Sequence, residues 1–200
     1  MSLLKEFSRI GRDLFLSGLV SSHGGNISIR AGDKIIITRR GSMLAHLNKE
    51  DLIETGLYKD DSGIIMASTE IIVHRAIYFN TSALAIVHSH PPAAIALSLF
   101  MDEIIPIDSE ASYLLHKIPV IATKETIGSK DVANIIPDYL QEYKIVMLRG
   151  HGAFSIGDIL EEAYMLHSTL ENACRIIAYG KIFGNAFKEY RKDGNKYTKW

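Results

Sequence analysis

The stretch Ala83-Leu84-Ala85-Ile86-Val87-His88-Ser89-His90-Pro91-Pro92 decides how the rest of the chain is read. Its first part, Ala83 to His88, is short, apolar and partly β-branched, which predicts a buried strand. Pro91 or Pro92 suits the first turn of a helix, where a missing N–H costs nothing, and that helix is expected to reach Leu99. The segment lies inside the longest run without Asp, Glu, Lys or Arg, Ala76 to Met101. That run is long enough to span a bilayer, but two imidazoles and a proline pair at its centre are poor lipid-facing chemistry. Side chains on a strand repeat every two residues, so His88 and His90 project from one face. Two neutral imidazoles so placed are half a site for a divalent transition metal. The plainer alternative is one surface histidine and one satisfied core histidine.

Working outward, Leu3, Leu4, Phe7, Ile10, Leu14 and Leu19 recur at helical spacing around Lys5, Glu6, Arg9 and Arg12, an amphipathic helix ended near Gly18. Ile27 to Arg30 and Lys34 to Thr38 read as strands around the Ala31-Gly32-Asp33 turn. Asn48 suits the cap of a short helical turn, and Leu52 to Leu57 reads as strand. Ser68 is placed to cap a helix over Thr69 to Phe79. Downstream, Ile104 to Ile107 and Val120 to Ala122 read as strands, Ser129 to Tyr139 as helix, and Ile145 to Leu148 as a buried strand. Gly150-His151-Gly152 follows, then a strand from Ala153 to Ile156. Asp158 with Glu161 resembles a capping box. A long helix then carries Ile159, Leu160, Ala163, Leu166, Leu170, Ala173 and Ile177. Mixed strands and helices with early hairpins point to an α/β (α+β) chain, a mixed sheet covered by helices.

Composition excludes several classes. The chain has 200 residues, 22 Lys+Arg against 23 Asp+Glu, and a net charge of −1. A nucleic-acid module would need a phosphate-neutralising surplus of cations. With 47% hydrophobic and 22% charged residues the chain is not a disordered one. A lone cysteine, Cys174, allows no internal disulfide and fits a cytoplasmic location; its apolar helical setting predicts core packing. Charges at Lys5, Glu6, Arg9, Arg12 and Asp13 interrupt any signal-peptide core. Without repeats or linkers, residues 1–200 are expected to form one domain.

Three further groups of residues have chemical potential. In Gly150-His151-Gly152 two glycines let the backbone bend, so His151 could complete a three-histidine site with one position open, as a catalytic zinc requires; a plain tight turn is the alternative. In Ser68-Thr69-Glu70 the hydroxyls either cap the helix or hold an anion at its N-terminus, with Glu70 then a candidate base. Gly24-Gly25-Asn26 and Thr38-Arg39-Arg40-Gly41-Ser42 could offer backbone N–H groups and a guanidinium to an anion, although two adjacent arginines are commonly a solvated pair. His23, His46, His74, His116 and His167 are read as structural or solvent-facing, with His74 placed to pair with Glu70.

In this order the motifs resemble those of the class II aldolase/adducin family. The matching pieces are Gly18-Leu19 with Gly24-Gly25-Asn26-Ile27-Ser28, Ile37-Thr38 with Gly41, Ser68-Thr69-Glu70, Val87-His88-Ser89-His90 and Leu148-Arg149-Gly150-His151-Gly152. The resemblance implies a three-layer α/β/α sandwich around a central, mostly antiparallel mixed sheet. It implies that His88, His90 and His151 hold a metal, normally Zn²⁺ with Co²⁺, Mn²⁺ or Ni²⁺ also accepted, and that Glu70 is the catalytic acid/base. Asn26, Gly41, Ser68 and Thr69 would bind a substrate phosphate, with Gly25 shaping the loop and Arg40 standing where the family's aldolases have threonine. It also implies a homotetramer with active sites between subunits.

One place departs from the family. Where an aldolase has a proton-donating tyrosine after an Ile-Pro pair, this chain reads Ile105-Pro106-Ile107-Asp108-Ser109-Glu110, with Tyr113 three residues on. Glu110 could replace that donor, Tyr113 could swing in, or the aldehyde half of the substrate differs. No role is assigned to Tyr190 or Tyr197 in the tail, which in the family can fold over the site. The implied activity is reversible cleavage of a small sugar phosphate of the L-fuculose-1-phosphate kind to dihydroxyacetone phosphate and an aldehyde. Ribulose-phosphate 4-epimerase, methylthioribulose-1-phosphate dehydratase and decarboxylase activities use the same kind of site. A metal-free scaffold of the adducin type would have no need of the three histidines and Glu70.

Overall fold

The computed structural model describes residues 2–184 and 188–191. Around Gly32, whose φ of +61° suits a tight turn, β1 (Asn26–Ala31) and β2 (Lys34–Thr38) form the expected antiparallel hairpin. Asn48 caps a short 3-10 turn as its sequence position predicts: its side chain accepts from Glu50 N, while Asp51 reaches back to Asn48 N. β3 (Leu52–Gly56) then pairs with β2. The apolar run at the heart of the chain becomes β4 (Ala85–Ser89), followed by β5 (Glu103–Ile104), β6 (Ile118–Ile121), β7 (Ile145–Leu148) and β8 (Gly152–Gly157). They form one eight-stranded sheet in the order β3-β2-β1-β4-β8-β7-β6-β5. All pairings are antiparallel except β6 with β7.

Both faces of the sheet are covered, and the strand residues alternate accordingly. Ile35, Ile37, Ile86, Val146 and Leu148 pack under α2 (Ile71–Asn80) and α5 (Lys130–Leu140), with Val73, Ile77 and Ile136. Ala85 and Val87 face α1 (Leu3–Leu16) through Phe7, Ile10 and Leu14. Ile145 and Met147 face α3 (Pro92–Ser98), α4 (Ser109–Leu115) and α6 (Leu160–Phe183) through Leu97, Leu115, Leu166 and Leu170. Two-sided burial explains why β4 and β7 read as continuous apolar runs. The result is the expected α/β/α three-layer sandwich with a mostly antiparallel mixed sheet. Cys174 is core packing, fully buried on α6. Among the described residues no helix is long and apolar enough to cross a membrane.

Several boundaries differ from the sequence reading. The strand expected at Ile104–Ile107 stops after Ile104, because Pro106 has no N–H to give a ladder and the chain turns to Asp108. Asp108 then caps α4, accepting from Ala111 N; this helix is absent from the sequence reading, being too short to show a periodic stripe. The strand placed at Val120–Ala122 begins earlier, at Ile118. α2 starts at Ile71, because Ser68 and Glu70 close a turn of their own, with Glu70 N donating to Ser68 Oγ. At the start of α6 it is Glu162, not Glu161, that accepts from Asp158 N; Glu161 pairs with Arg9.

Two histidines are completely buried in this core. His74 meets Ser28 Oγ at 2.7 Å rather than pairing with Glu70, and His167 meets Ser89 Oγ at 2.6 Å and the Val87 carbonyl at 3.0 Å. Burial pushes their pKa values down to about 3 and about 4. The unfolded chain binds protons near pH 6.5 that the native chain refuses, so stability is fully present above that pH and falls as pH drops from 6.5 towards 4. The slope is up to roughly 1.4 kcal/mol per pH unit for each histidine. Urea unfolding of metal-free protein is expected to show a lower midpoint at pH 5 than at pH 7, and a flat profile would contradict neutral burial.

Candidate active site

The site is assembled where β4 ends. His88 is inside the sheet and 1% exposed, its ring stacked on that of Phe154 from β8 at 4.1 Å and 17°. His88 and Phe154 are directly opposite in the β4–β8 register, so the stack follows from strand pairing. His90 lies one residue beyond β4, its backbone N–H donating to the Leu19 carbonyl at 2.7 Å. His151 occupies the turn between β7 and β8, with its N–H on the Leu148 carbonyl. The three rings are 4.9–5.1 Å apart by centroid, and one nitrogen from each lies within 4.8 Å of the others. The sequence's most distant expectation, that His151 joins His88 and His90, is therefore realised in space.

The donor set suits a divalent cation. The Ala153 carbonyl can only accept, so the 3.0 Å contact places a proton on His88 Nδ1 and leaves its Nε2 lone pair free. His88 Nε2 and His90 Nε2 are 3.1 Å apart. Two nitrogens on a tetrahedral zinc at ~2.0–2.1 Å are separated by about 3.3 Å, so little movement is required. Burial, then the neighbouring imidazoles, hold His88 well below its ordinary pKa; burial and His151 push His90 to about 4; burial lowers His151 as well. All three are neutral near pH 7, the form that ligates a metal.

Backbone close approach makes this convergence possible. A Cβ on Gly152 would lie 2.4 Å from the Ser89 carbonyl oxygen and 2.7 Å from His90 Cδ2. At Gly25, φ is +74° and a Cβ would be 2.8 Å from the His88 carbonyl. Both positions admit only a residue without a side chain.

Beside the imidazoles is a cavity of about 190 Å³. Gly25, Asn26, Arg40, Gly41, Ser68, Thr69 and Glu70 line it, together with His88, His90 and His151. The structure thus brings together every site residue named from the sequence except Glu110. Glu110 is exposed at the start of α4 and borders a different depression with Arg9, Glu161 and Tyr164; Tyr113 is exposed too. Of the tail tyrosines, Tyr190 lies against Arg191 at the surface, and Tyr197 falls outside the described residues.

Glu70 occupies the N-cap of α2 and is 3% exposed. Its Oε1 accepts from Gly128 N at 3.0 Å, and its Oε2 has no partner. Burial raises its pKa to about 7, against the opposing pull of the Gly128 N–H. A carboxyl so poised exchanges a proton readily near neutrality. The two arginines divide. Arg39 is bound to buried Asp51 at 2.8 Å, whereas the Arg40 side chain is exposed at the cavity with no bond to another described residue. Sequence reasoning missed Ile127 and Gly128, which wall the cavity and bind Glu70; no local pattern marks them.

Fold and site together define an enzyme-like centre: three neutral imidazoles, a buried carboxyl and an anion-sized cavity with a free guanidinium. The Class II Aldolase and Adducin N-terminal domain matches residues 5–178, and the chain belongs to this family. It is 30% identical to an L-fuculose phosphate aldolase of Methanocaldococcus jannaschii over 86% of this chain and 93% of that protein. It is 32% identical to a methylthioribulose-1-phosphate dehydratase of Acidiphilium cryptum over 85% and 87%. The crystal structure of L-fuculose-1-phosphate aldolase from Thermus thermophilus superposes with a TM-score of 0.87 at 37% identity, covering 93% of this chain and 97% of that one.

Gly152→Ala is expected to push β8 from β4 and spread the imidazoles, costing about 1–3 kcal/mol of stability. Melting curves with and without added Zn²⁺ check this: the variant is expected to melt lower and to gain less from the metal than the wild type.

Proposed function

We propose that the chain is a metal-dependent aldehyde-lyase that reversibly cleaves a small sugar phosphate of the L-fuculose-1-phosphate kind into dihydroxyacetone phosphate and an aldehyde. The observation that carries this reading is a buried carboxyl beside three neutral imidazoles at the foot of an anion-sized cavity. His88, His90 and His151 would hold a divalent cation, Zn²⁺ in the first instance, which would supply positive charge that lowers the cost of negative charge developing on the substrate. Co²⁺, Mn²⁺ or Ni²⁺ would suit the same imidazoles.

The chain's own groups do the rest. Arg40 and the Thr69 hydroxyl hold the phosphate, with Asn26, Gly41 and Ser68 completing its shell around the Gly25 loop. Asn26, 6% exposed at the cavity, would donate its side-chain NH2 to a phosphate oxygen. In the condensation direction the free Oε2 of Glu70 takes the proton from the carbon beside the carbonyl. In cleavage Glu70 returns it. The aldehyde oxygen needs a proton as the C–C bond forms, and Glu110 of a neighbouring copy is the proposed donor. Its separation from the histidine cavity within one chain agrees with a site completed between subunits of a homotetramer. Residues 1–200 would act as one domain in the cytoplasm, and a family match over residues 5–178 supports the single domain.

A second reading is dehydration of methylthioribulose-1-phosphate. It is supported by the 32% identity to such a dehydratase. Incubation of metal-replete protein with dihydroxyacetone phosphate and a panel of aldehydes separates the two. New sugar phosphates, read by mass, support the aldolase; loss of water from the ketose phosphate without them supports the dehydratase.

Glu70→Gln is expected to keep its metal and lose at least about two orders of magnitude in turnover, the usual general acid/base contribution. Normal turnover in that variant would remove Glu70 from the mechanism. Arg40→Ala is expected mainly to raise KM for the phosphorylated substrate, which steady-state kinetics would show.

A further inference from the structure

α6 does more than cover the sheet. His167 and Glu171 are one turn apart on its buried face, and both reach the segment that carries His88 and His90. The Val87 carbonyl can only accept, so His167 Nε2 is the donor in their 3.0 Å contact. His167 Nδ1 then accepts from the Ser89 hydroxyl at 2.6 Å. One imidazole thus grips the residues immediately before and after His88, and Ser89 also immediately precedes His90. Glu171 Oε2 accepts from Ala93 N and Ala94 N, fixing the first turn of α3 just beyond His90. From the far end of α3, Ser98 Oγ accepts from Gly150 N, next to His151.

We propose that His167, acting through Ser89, is a positioning residue for the metal ligands His88 and His90. The inference rests on reading the three histidines as a metal site. Packing alone does not explain the pair, because two apolar side chains of similar shape would satisfy a core equally well. What the pair adds is direction. The side chains of Val87 and Ser89 project to the face of the sheet covered by α1 and α6 while His88 stacks on Phe154 at the opposite face, so a bond at Ser89 and at the Val87 carbonyl fixes the twist of β4 where the histidines leave it. Outer partners of metal ligands commonly set affinity by ten- to a hundredfold.

The test is Co²⁺ binding by metal-stripped full-length protein, read from visible absorption and by competition with a chelator, alongside apo-protein melting. Wild type is expected to take up one Co²⁺ per chain. His167→Leu and Ser89→Ala are expected to bind at least about tenfold more weakly, with an altered absorption band. His167→Gln, which can still donate to Val87 and accept from Ser89, should recover most of the affinity. Ser155→Ala is the control: it removes another fully buried hydroxyl bonded to α6, at the Ala163 carbonyl, and should lower melting without changing Co²⁺ affinity. If His167→Leu does not fold, Ser89→Ala decides. Affinity and spectrum within twofold of wild type in Ser89→Ala would overturn the positioning role, while no Co²⁺ uptake by wild type would overturn the metal reading and the inference with it.

Discussion

The antiparallel contact between β4 and β8 is the constraint on which the rest depends. It places Ser89 against Ala153 and His88 against Phe154, and so carries the turn with His151 to the end of the strand that bears His88. The two strands come so close at Gly152 that no side chain fits between them. The sheet order makes this contact possible: β4 is central, with the β1–β3 hairpins on one side and β8, β7 and β6 on the other. Strands distant in sequence become neighbours, and the histidine cluster inherits its geometry from backbone hydrogen bonds rather than from flexible side chains.

The second constraint is electrostatic. Asn26 Oδ1, Glu70 Oε2 and His151 Nδ1 are buried without partners. A folded chain ordinarily satisfies such atoms, and leaving each one bare costs about 1–3 kcal/mol. His74 Nε2 is a further such atom in the core, but the convergence of three on one cavity is what a preorganised site requires. The same burial keeps the imidazoles neutral and raises the Glu70 carboxyl. One physical cause therefore sets the protonation of the three imidazoles and of the carboxyl together.

Much of this is legible in the sequence, and the failures have physical reasons. The β1–β2 hairpin, β4, β7 and the Asn48 cap are local features, written in apolar runs and turn residues that need no distant partner. The two-residue spacing of His88 and His90 dictates their shared face. Their meeting with His151 depends on which strands pair, which no local pattern states; the ordered set of motifs supplies it through family resemblance. α4 escapes notice because seven residues are too few to show a stripe. Gly128 escapes because its role is a backbone N–H offered to Glu70 from a loop 58 residues away. His167 reads as structural, and nothing local in the sequence marks its bonds to Val87 and Ser89, residues 80 and 78 positions away.

The contrast between the adjacent arginines has a consequence for how such a protein can diversify. Arg39 is anchored by Asp51 and belongs to the scaffold, whereas Arg40 bonds to the described residues through its backbone N–H on the Met66 carbonyl and not through its guanidinium. Position 40 is therefore a modular site: descendants can exchange its side chain, and with it the charge offered to incoming molecules, without retuning the architecture that holds it.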